Sequence, residues 1–151
     1  MVSTTETTTI PALVLTRRFA APRQAVFDAW TKPEEISQWF GPKGVTVRDA
    51  KADLRPGGHY SLVMDESDGT HPLSGVYREI TVPERLVFSW IWGHGALEGI
   101  EMQVTLDFEE TKDGGTQLTL THERLPSTLA SEHHNQGWLG CLDCLQEYLA
   151  K

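Results

Sequence analysis

Basic residues are scarce in this chain. Lys and Arg number 13 against 21 Asp and Glu, which gives a formal net charge of -8 at pH 7. Proteins that bind nucleic acid neutralise phosphates with clustered Lys and Arg, and here the few basic residues are scattered along the sequence. Nucleic acid is therefore not an expected partner.

Long apolar runs are absent as well. No run reaches the roughly 18 to 20 residues that a membrane-spanning helix needs. The threonine-rich N-terminus lacks the basic start and the apolar centre of a secretory leader, and it is typical of a loose tail. We therefore expect no membrane association, a cytoplasmic location, a flexible tail over residues 1–11 and one domain over residues 12–151.

Motifs that would hold a metal or a cofactor are few and incomplete. Cys141 and Cys144 have the spacing of a redox motif or half a zinc site, but both fall inside a predicted helix and no second cysteine pair exists. A metal bound by His134, Cys141 and a strand residue has too few ligands. The glycines between residues 93 and 99 lack the spacing of a dinucleotide fingerprint. We expect structural cysteines, no metal and no cofactor.

The apolar periodicity is helical near the C-terminus. Between residues 128 and 151, apolar side chains recur at 3.6-residue spacing on the side of Trp138, whereas polar side chains such as Asp143 lie opposite. The apolar side comprises His134, Trp138, Cys141, Leu142, Leu145, Tyr148 and Leu149. The pattern predicts one long amphipathic helix, with Ser127 or Thr128 as its N-cap.

Upstream of this helix, the pattern predicts strands and two short helices. Period-two alternation, broken by glycine-containing turns, indicates seven strands. They cover residues 13–20, 45–54, 59–65, a segment that ends near 81, 86–92, 102–108 and 116–123, and the short helices cover residues 23–31 and 33–40. The strand at 86–92 is apolar on both faces, which is typical of a central position. We expect an antiparallel sheet that buries one face against the long helix.

Five separated motifs carry a resemblance to a known family. They are ISQWFGP at 36–42, DLRPGG at 53–58, GVYREI with PERL between 75 and 86, GTQLT at 115–119, and the helix from His134 through Gly137 and Trp138 to Leu149. The order of the elements resembles the helix-grip fold of the Bet v 1 and START-like (SRPBCC) superfamily. The motifs themselves resemble the family named for the C-terminal domain of the activator of Hsp90 ATPase, and the resemblance covers the chain from about Leu13.

The resemblance implies an α+β fold. A curved antiparallel sheet of about seven strands wraps around the C-terminal helix, with two short helices between strands 1 and 2 and an apolar cavity under the long helix. No catalytic set is carried over, because the matching residues have structural explanations: Gly57 and Gly58 relieve a tight turn, and Gly137 lets the helix approach a bulky sheet residue. The eukaryotic cochaperone has a further N-terminal domain that this chain lacks, so Hsp90 stimulation is not inferred.

The leading functional hypothesis is binding or sequestering of a small hydrophobic or aromatic molecule, without catalysis. Aromatic residues on the strand at 86–92 face an aromatic helix stripe, and ligand pockets are mostly apolar with a few placed polar groups. The alternative is that these side chains fill the interior completely. The residues expected to line the cavity are Trp30, Tyr60, Tyr77, Phe88, Trp90, Met102, Val104, Leu120, His134, Trp138, Cys141 and Leu142.

Catalysis is a second hypothesis. Some relatives on this fold are cyclases, dehydratases or hydrolases that act on polyketide-like or aromatic substrates, and such chemistry needs a titratable group inside the cavity. His134 on the inner stripe is the best single candidate for an acid or base, with Tyr77, His59 and Arg55 as candidate partners. A single His on an apolar face is more often a hydrogen-bonded core residue.

A third hypothesis is a protein-interaction domain, cochaperone-like or homodimeric. Trp39, Phe40 and Trp92 stand near predicted loops, where exposed aromatic side chains would form an interface patch. Aromatic residues beside turns also cap the edges of a core.

Overall fold

Seven antiparallel strands form one curved sheet in the computed structural model, which describes residues 10–151. The strands are β1 (Leu13–Phe19), β2 (Thr46–Ala52), β3 (His59–Glu66), β4 (Gly69–Thr81), β5 (Arg85–Trp92), β6 (Met102–Glu110) and β7 (Thr116–Glu123). The helices are α1 (Arg23–Thr31), α2 (Pro33–Trp39) and α3 (Thr128–Leu149). The α+β helix-grip architecture expected from the sequence is confirmed, and the ends of the predicted elements are shifted by at most two residues.

The sheet has the order β1-β7-β6-β5-β4-β3-β2, which places β5 in the centre. Phe88 of β5 lies opposite Tyr77 of β4 on one side and Val104 of β6 on the other. The run from Leu86 to Trp90 is buried throughout, at successive positions that point to opposite faces of the sheet. The central position predicted from its two apolar faces is confirmed.

Strands β6 and β7 show how alternation builds the core. Leu106 pairs with Leu120, and Phe108 pairs with Leu118, so that these four side chains point to the same face. All four are at most 2% exposed. Removing a side chain of this size from water contributes about 1.5–3 kcal/mol, and the pairs therefore fix the register of the two strands.

Two irregularities bend the sheet. The pairing of β2 with β3 shifts between Arg48 and Lys51, and the pairing of β4 with β5 shifts between Tyr77 and Glu79. An extra residue in one strand increases the local twist and curves the sheet. The concave face that results receives α3.

Helix α3 begins at a side-chain cap and lays its apolar side on the sheet. The Ser127 hydroxyl accepts a hydrogen bond of 3.1 Å from the backbone N–H of Ala130, so Ser127, and not Thr128, is the N-cap. Its buried side chains are Ala130, His134, Trp138, Cys141, Leu142 and Leu145. Arg17 of β1 donates to Asp143 at 2.9 Å and ties the polar side of the helix to the edge strand.

Two glycine predictions have different outcomes. The turn between β2 and β3 needs its glycines, since Gly57 has a φ of +85° and a Cβ on Gly58 would lie 2.0 Å from the carbonyl oxygen of Asp53. The close approach predicted for Gly137 is wrong, because a Cβ there meets no atom within 4 Å. Gly140 is the close-packed position of α3: its Cβ would lie 2.8 Å from the Cβ of Pro42.

The aromatic patch proposed as an interface is not present as an exposed surface. Trp39 is 4% exposed and Phe40 is 8% exposed, and the indole N–H of Trp39 donates to the carbonyl of Ala29 at 2.9 Å. Trp92 is half-buried. Trp39 and Phe40 are buried because α2 folds back over the sheet, where they cap the end of the core. The prediction of an exposed patch was therefore wrong for these two residues.

Two sequence predictions concern the tail and the membrane. Residues 1–9 of the predicted tail lie outside the described residues. From Ile10 onward, no helix combines the length and the apolar character that crossing a membrane would require.

Candidate functional site: a cavity between the sheet and the long helix

A cavity of about 360 Å³ lies between the sheet and the N-terminal half of α3, and it is partly open to solvent. Its walls come from the segment after α2, the hairpin of β3 and β4, the end of β5 with the loop that follows, and α3. The curved sheet and the helix diverge here, so that side chains from four parts of the chain face a common space.

Four aromatic side chains form the apolar wall: Phe40, Trp90, Trp92 and Trp138. The ring centroids of Trp90 and Trp138 are 5.0 Å apart, and those of Trp90 and Trp92 are 5.5 Å apart. Phe40 lies edge-on to Trp138 at 6.2 Å. Such offset and edge-to-face arrangements are the preferred geometry of aromatic pairs, so this wall is well packed without a guest.

His134 lies in this wall with both ring nitrogens hydrogen-bonded. Its Nδ1 is 2.8 Å from the carbonyl oxygen of Ala130, so Nδ1 must carry a proton and donate it. Its Nε2 then accepts a hydrogen bond of 3.1 Å from the indole N–H of Trp92. The arrangement fixes one neutral tautomer, in which no ring nitrogen is free to take a proton from a substrate.

A second histidine supports the wall from behind. The indole N–H of Trp138 donates to Nδ1 of His122 at 3.0 Å, and the rings of His122 and His134 are 4.6 Å apart. Because Nδ1 accepts, the proton of His122 is on Nε2, which has no partner among the described residues. The two histidines thus orient two of the three indoles that face the cavity, those of Trp92 and Trp138.

Burial keeps both imidazoles neutral. It lowers the pKa of His122 to about 3, and the nearby His134 adds to the effect. Burial also lowers the pKa of His134, against the opposing influence of the hydrogen bond to Ala130. At pH 7 the wall therefore carries no positive charge at these two positions.

The mouth of the cavity is polar, with Glu66, Asp68 and His71 on one side and His94 and His133 on the other. Nε2 of His71 lies 3.0 Å from a carboxylate oxygen of Asp68 and 3.4 Å from one of Glu66. Sequence reasoning did not find these residues. The register of the β3–β4 hairpin could have found them. His71 lies opposite Met64, and Met64 is two residues before Glu66 on the same strand, so all three side chains point to the same face.

Of the twelve side chains expected to line a cavity, the structure brings four to this one: Trp90, His134, Trp138 and Cys141. The other eight are buried in the core cluster instead: Trp30, Tyr60, Tyr77, Phe88, Met102, Val104, Leu120 and Leu142. Tyr60 illustrates the difference, since its hydroxyl donates to the backbone oxygen of Ser89 at 2.7 Å within the sheet.

The candidate partners of His134 are not assembled around it. Tyr77 packs against Tyr60 at a centroid distance of 5.6 Å, and burial raises its pKa to about 12. Arg55 donates to Asp53 at 2.8 Å in the exposed turn, and His59 is an exposed residue at the start of β3. None of the three is among the residues that line the cavity within the described part of the chain.

The two cysteines have the surroundings of packed thiols. Sγ of Cys141 accepts a hydrogen bond of 3.3 Å from the backbone N–H of Gly41, and burial raises its pKa to about 12. Burial also raises the pKa of Cys144. A redox or metal-binding thiol needs a lowered pKa, so the shift runs against that chemistry.

The sheet, the helix it clasps and the cavity beneath that helix define a helix-grip protein of the START-like class. The sequence model described as activator of Hsp90 ATPase homolog 1-like protein matches residues 20–150, and the chain belongs to this family. No match is found among functionally curated proteins.

Solved bacterial structures share the whole fold. A protein of Chromobacterium violaceum is 25% identical with a TM-score of 0.84, over 93% of this chain and 97% of that one. The AHSA1 protein of Silicibacter pomeroyi is 29% identical with a TM-score of 0.80, over 93% and 98%. CalU16 of Micromonospora echinospora is 29% identical with a TM-score of 0.69, over 93% and 80%.

Proposed function

We propose that this protein binds a small hydrophobic or aromatic molecule in the cavity between the sheet and α3. The observation that carries the proposal is a cavity of about 360 Å³ faced by Phe40, Trp90, Trp92 and Trp138. Sites for small molecules span about 300–1,000 Å³ and are lined mainly by apolar and aromatic side chains. The volume is near the lower end of that range, which favours a small guest.

The fixed tautomers support binding rather than catalysis. A general base must accept a proton from its substrate, and both nitrogens of His134 already make hydrogen bonds. The indole N–H groups of Trp92 and Trp138 are held by His134 and His122, so the aromatic wall is ordered before a guest arrives. A preorganised wall reduces the entropy that binding must overcome.

Gly137 offers a way to close the cavity without disturbing the core. It lines the cavity on α3, and a Cβ added there meets no atom within 4 Å. Gly137→Phe would occupy the space that a guest needs. Gln136→Phe adds the same side chain at the preceding position, which is exposed to solvent, and serves as the matched control.

The test is a titration with the neutral fluorescent probe N-phenyl-1-naphthylamine, whose emission rises in an apolar site. We expect saturable binding of one probe per chain, at least tenfold weaker in Gly137→Phe and unchanged in Gln136→Phe. Absence of saturable binding to the unmodified chain, or equal binding by Gly137→Phe, would contradict the proposal.

A further inference from the structure

Histidines are concentrated at the cavity. The chain has six, and four of them, His71, His94, His133 and His134, line this one space. His134 is committed to Ala130 and Trp92, whereas the other three lie toward the mouth together with Glu66 and Asp68. Imidazole and carboxylate side chains are the donor set that borderline divalent metals such as Zn²⁺ prefer.

Three of these side chains already converge. Glu66, Asp68 and His71 each offer one ligand atom, and the three atoms lie within 4.8 Å of one another. Nε2 of His71 lies 3.0 Å from Asp68 and 3.4 Å from Glu66. With metal–ligand bonds of about 2.0–2.2 Å, neighbouring ligand atoms around a tetrahedral ion stand about 3.4 Å apart. The two spacings to His71 are close to this value, and the spacing between the two carboxylates is at most 4.8 Å.

The hairpin of β3 and β4 produces this convergence. Glu66 pairs with Gly69, Asp68 lies in the turn between them, and His71 follows two residues later on β4. The next carboxylate along β3, that of Asp65, is neutralised by Arg48 at 2.6 Å. In the described part of the chain, Glu66 and Asp68 form ion pairs with His71 alone. The two carboxylates therefore retain negative charge that a cation would compensate.

His94 lies near the place that a fourth ligand would occupy. Its ring centroid lies 6.3 Å from that of His71, across the mouth of the cavity. Two imidazoles that share one tetrahedral ion have centroids about 5.3 Å apart, given a metal–nitrogen bond of about 2.1 Å, so the ring of His94 would have to move about 1 Å closer to that of His71. Gly93 and Gly95 flank His94, and the exposed loop leaves its side chain room to turn toward the hairpin.

We propose that Glu66, Asp68 and His71 bind one divalent transition-metal ion of the Zn²⁺ type at the mouth of the cavity, with His94 as the fourth ligand. The site stands on these four residues and does not depend on the proposed apolar guest. An oxygen-seeking ion such as Mg²⁺ would find only two carboxylates here and is not expected to bind comparably.

The experiment measures Zn²⁺ binding to the tag-free, chelator-treated chain by calorimetry at pH 7. We expect one Zn²⁺ per chain, affinity at least tenfold lower in His71→Ala and in the double variant Glu66→Gln with Asp68→Asn, and a smaller loss in His94→Ala. His59→Ala removes an exposed histidine at the start of β3, the strand that ends at Glu66, but outside the cavity. This variant should bind Zn²⁺ like the unmodified chain.

Co²⁺ supplies a second readout that reports ligation directly. The unmodified chain should give the intense visible absorption of four-coordinate Co²⁺, and His71→Ala should lose it while retaining its circular dichroism spectrum. Failure of the unmodified chain to bind Zn²⁺, equal binding by His71→Ala or by the double carboxylate variant, or Mg²⁺ binding as tight as Zn²⁺ would overturn the proposal. None of these results would alter the titration with the naphthylamine probe in metal-free buffer.

Discussion

The buried histidines beside the cavity are neutral in the folded protein but can take up a proton when the chain unfolds. His122 has no exposed surface, and its pKa of about 3 means that the folded protein does not protonate it at any mildly acidic pH. The unfolded chain protonates the same side chain near pH 6.5. The difference connects the protonation of one residue to the stability of the whole fold.

This linkage predicts that stability falls on acidification. Below pH 6.5 the unfolded chain binds a proton at His122 that the folded chain does not bind, so the contribution present above pH 6.5 is lost as the pH falls toward 3. We expect the unfolding free energy to drop by on the order of 2 kcal/mol between pH 7 and 5 from this residue, and the lowered pKa of His134 acts in the same direction.

Urea denaturation at pH 7, 6 and 5 measures the effect. His122→Asn keeps an acceptor for the indole N–H of Trp138 but removes the titrating group, so its stability should decline less steeply with acid. His59→Asn, at an exposed position, is the control and should follow the unmodified chain. Equal slopes for His122→Asn and the unmodified chain would refute the assignment.

Single residues also show where sequence reasoning reached the site and where it did not. His134, Trp138 and Cys141 were found because helical periodicity identifies an inward-facing side chain locally. Glu66 and His71 were missed because their proximity depends on which residues of two strands are paired. The register of two strands depends on the length and type of the turn that joins them as well as on the hydrophobic pattern, and a periodicity read along one strand does not contain it.

At the scale of the element, α3 contains two glycines with different surroundings. Gly137 has open space at the position of a Cβ, whereas a Cβ on Gly140 would lie 2.8 Å from Pro42. Glycine inside a helix costs roughly 0.5–1 kcal/mol relative to alanine, because the unfolded chain is more flexible. A substitution by alanine can recover this free energy only at Gly137, where the added methyl group has room.

We therefore expect opposite outcomes for two identical substitutions. Gly137→Ala should raise the unfolding free energy by roughly 0.5–1 kcal/mol. Gly140→Ala should give no gain or a loss, since Pro42 must move to admit the methyl group. Thermal and urea denaturation of the two variants decide the matter, and an equal gain in both would show that α3 does not pack on Pro42 as described.

Most elements were predictable because their signals are local. Pro33 at the start of α2, Ser127 at the start of α3 and the glycine turn at 57–58 act within a few residues of the chain.

The lining of the cavity was less predictable. Leu142 and Leu120 face inward as expected, but inward orientation does not state how far along the helix or strand the space opens, and both pack into the filled part of the core.

At the scale of the whole molecule, a guest should stabilise the fold. A ligand that binds only the folded state adds about 2.7 kcal/mol at a concentration of one hundred times its Kd. We expect the naphthylamine probe to raise the unfolding midpoint of the unmodified chain as its concentration increases. Gly137→Phe should show little shift at the same concentrations, and an equal shift in both would place the binding site elsewhere.

The arrangement of the indoles gives this molecule an optical property. Three of its five tryptophans line the cavity, and the ring of Trp30 lies 5.9 Å from that of Trp138, directly behind the wall. A molecule that enters the cavity therefore lies beside three of the five indole chromophores. The unlabelled protein therefore reports its own occupancy, and a change in the colour or intensity of that emission would allow natural extracts to be searched for the guest.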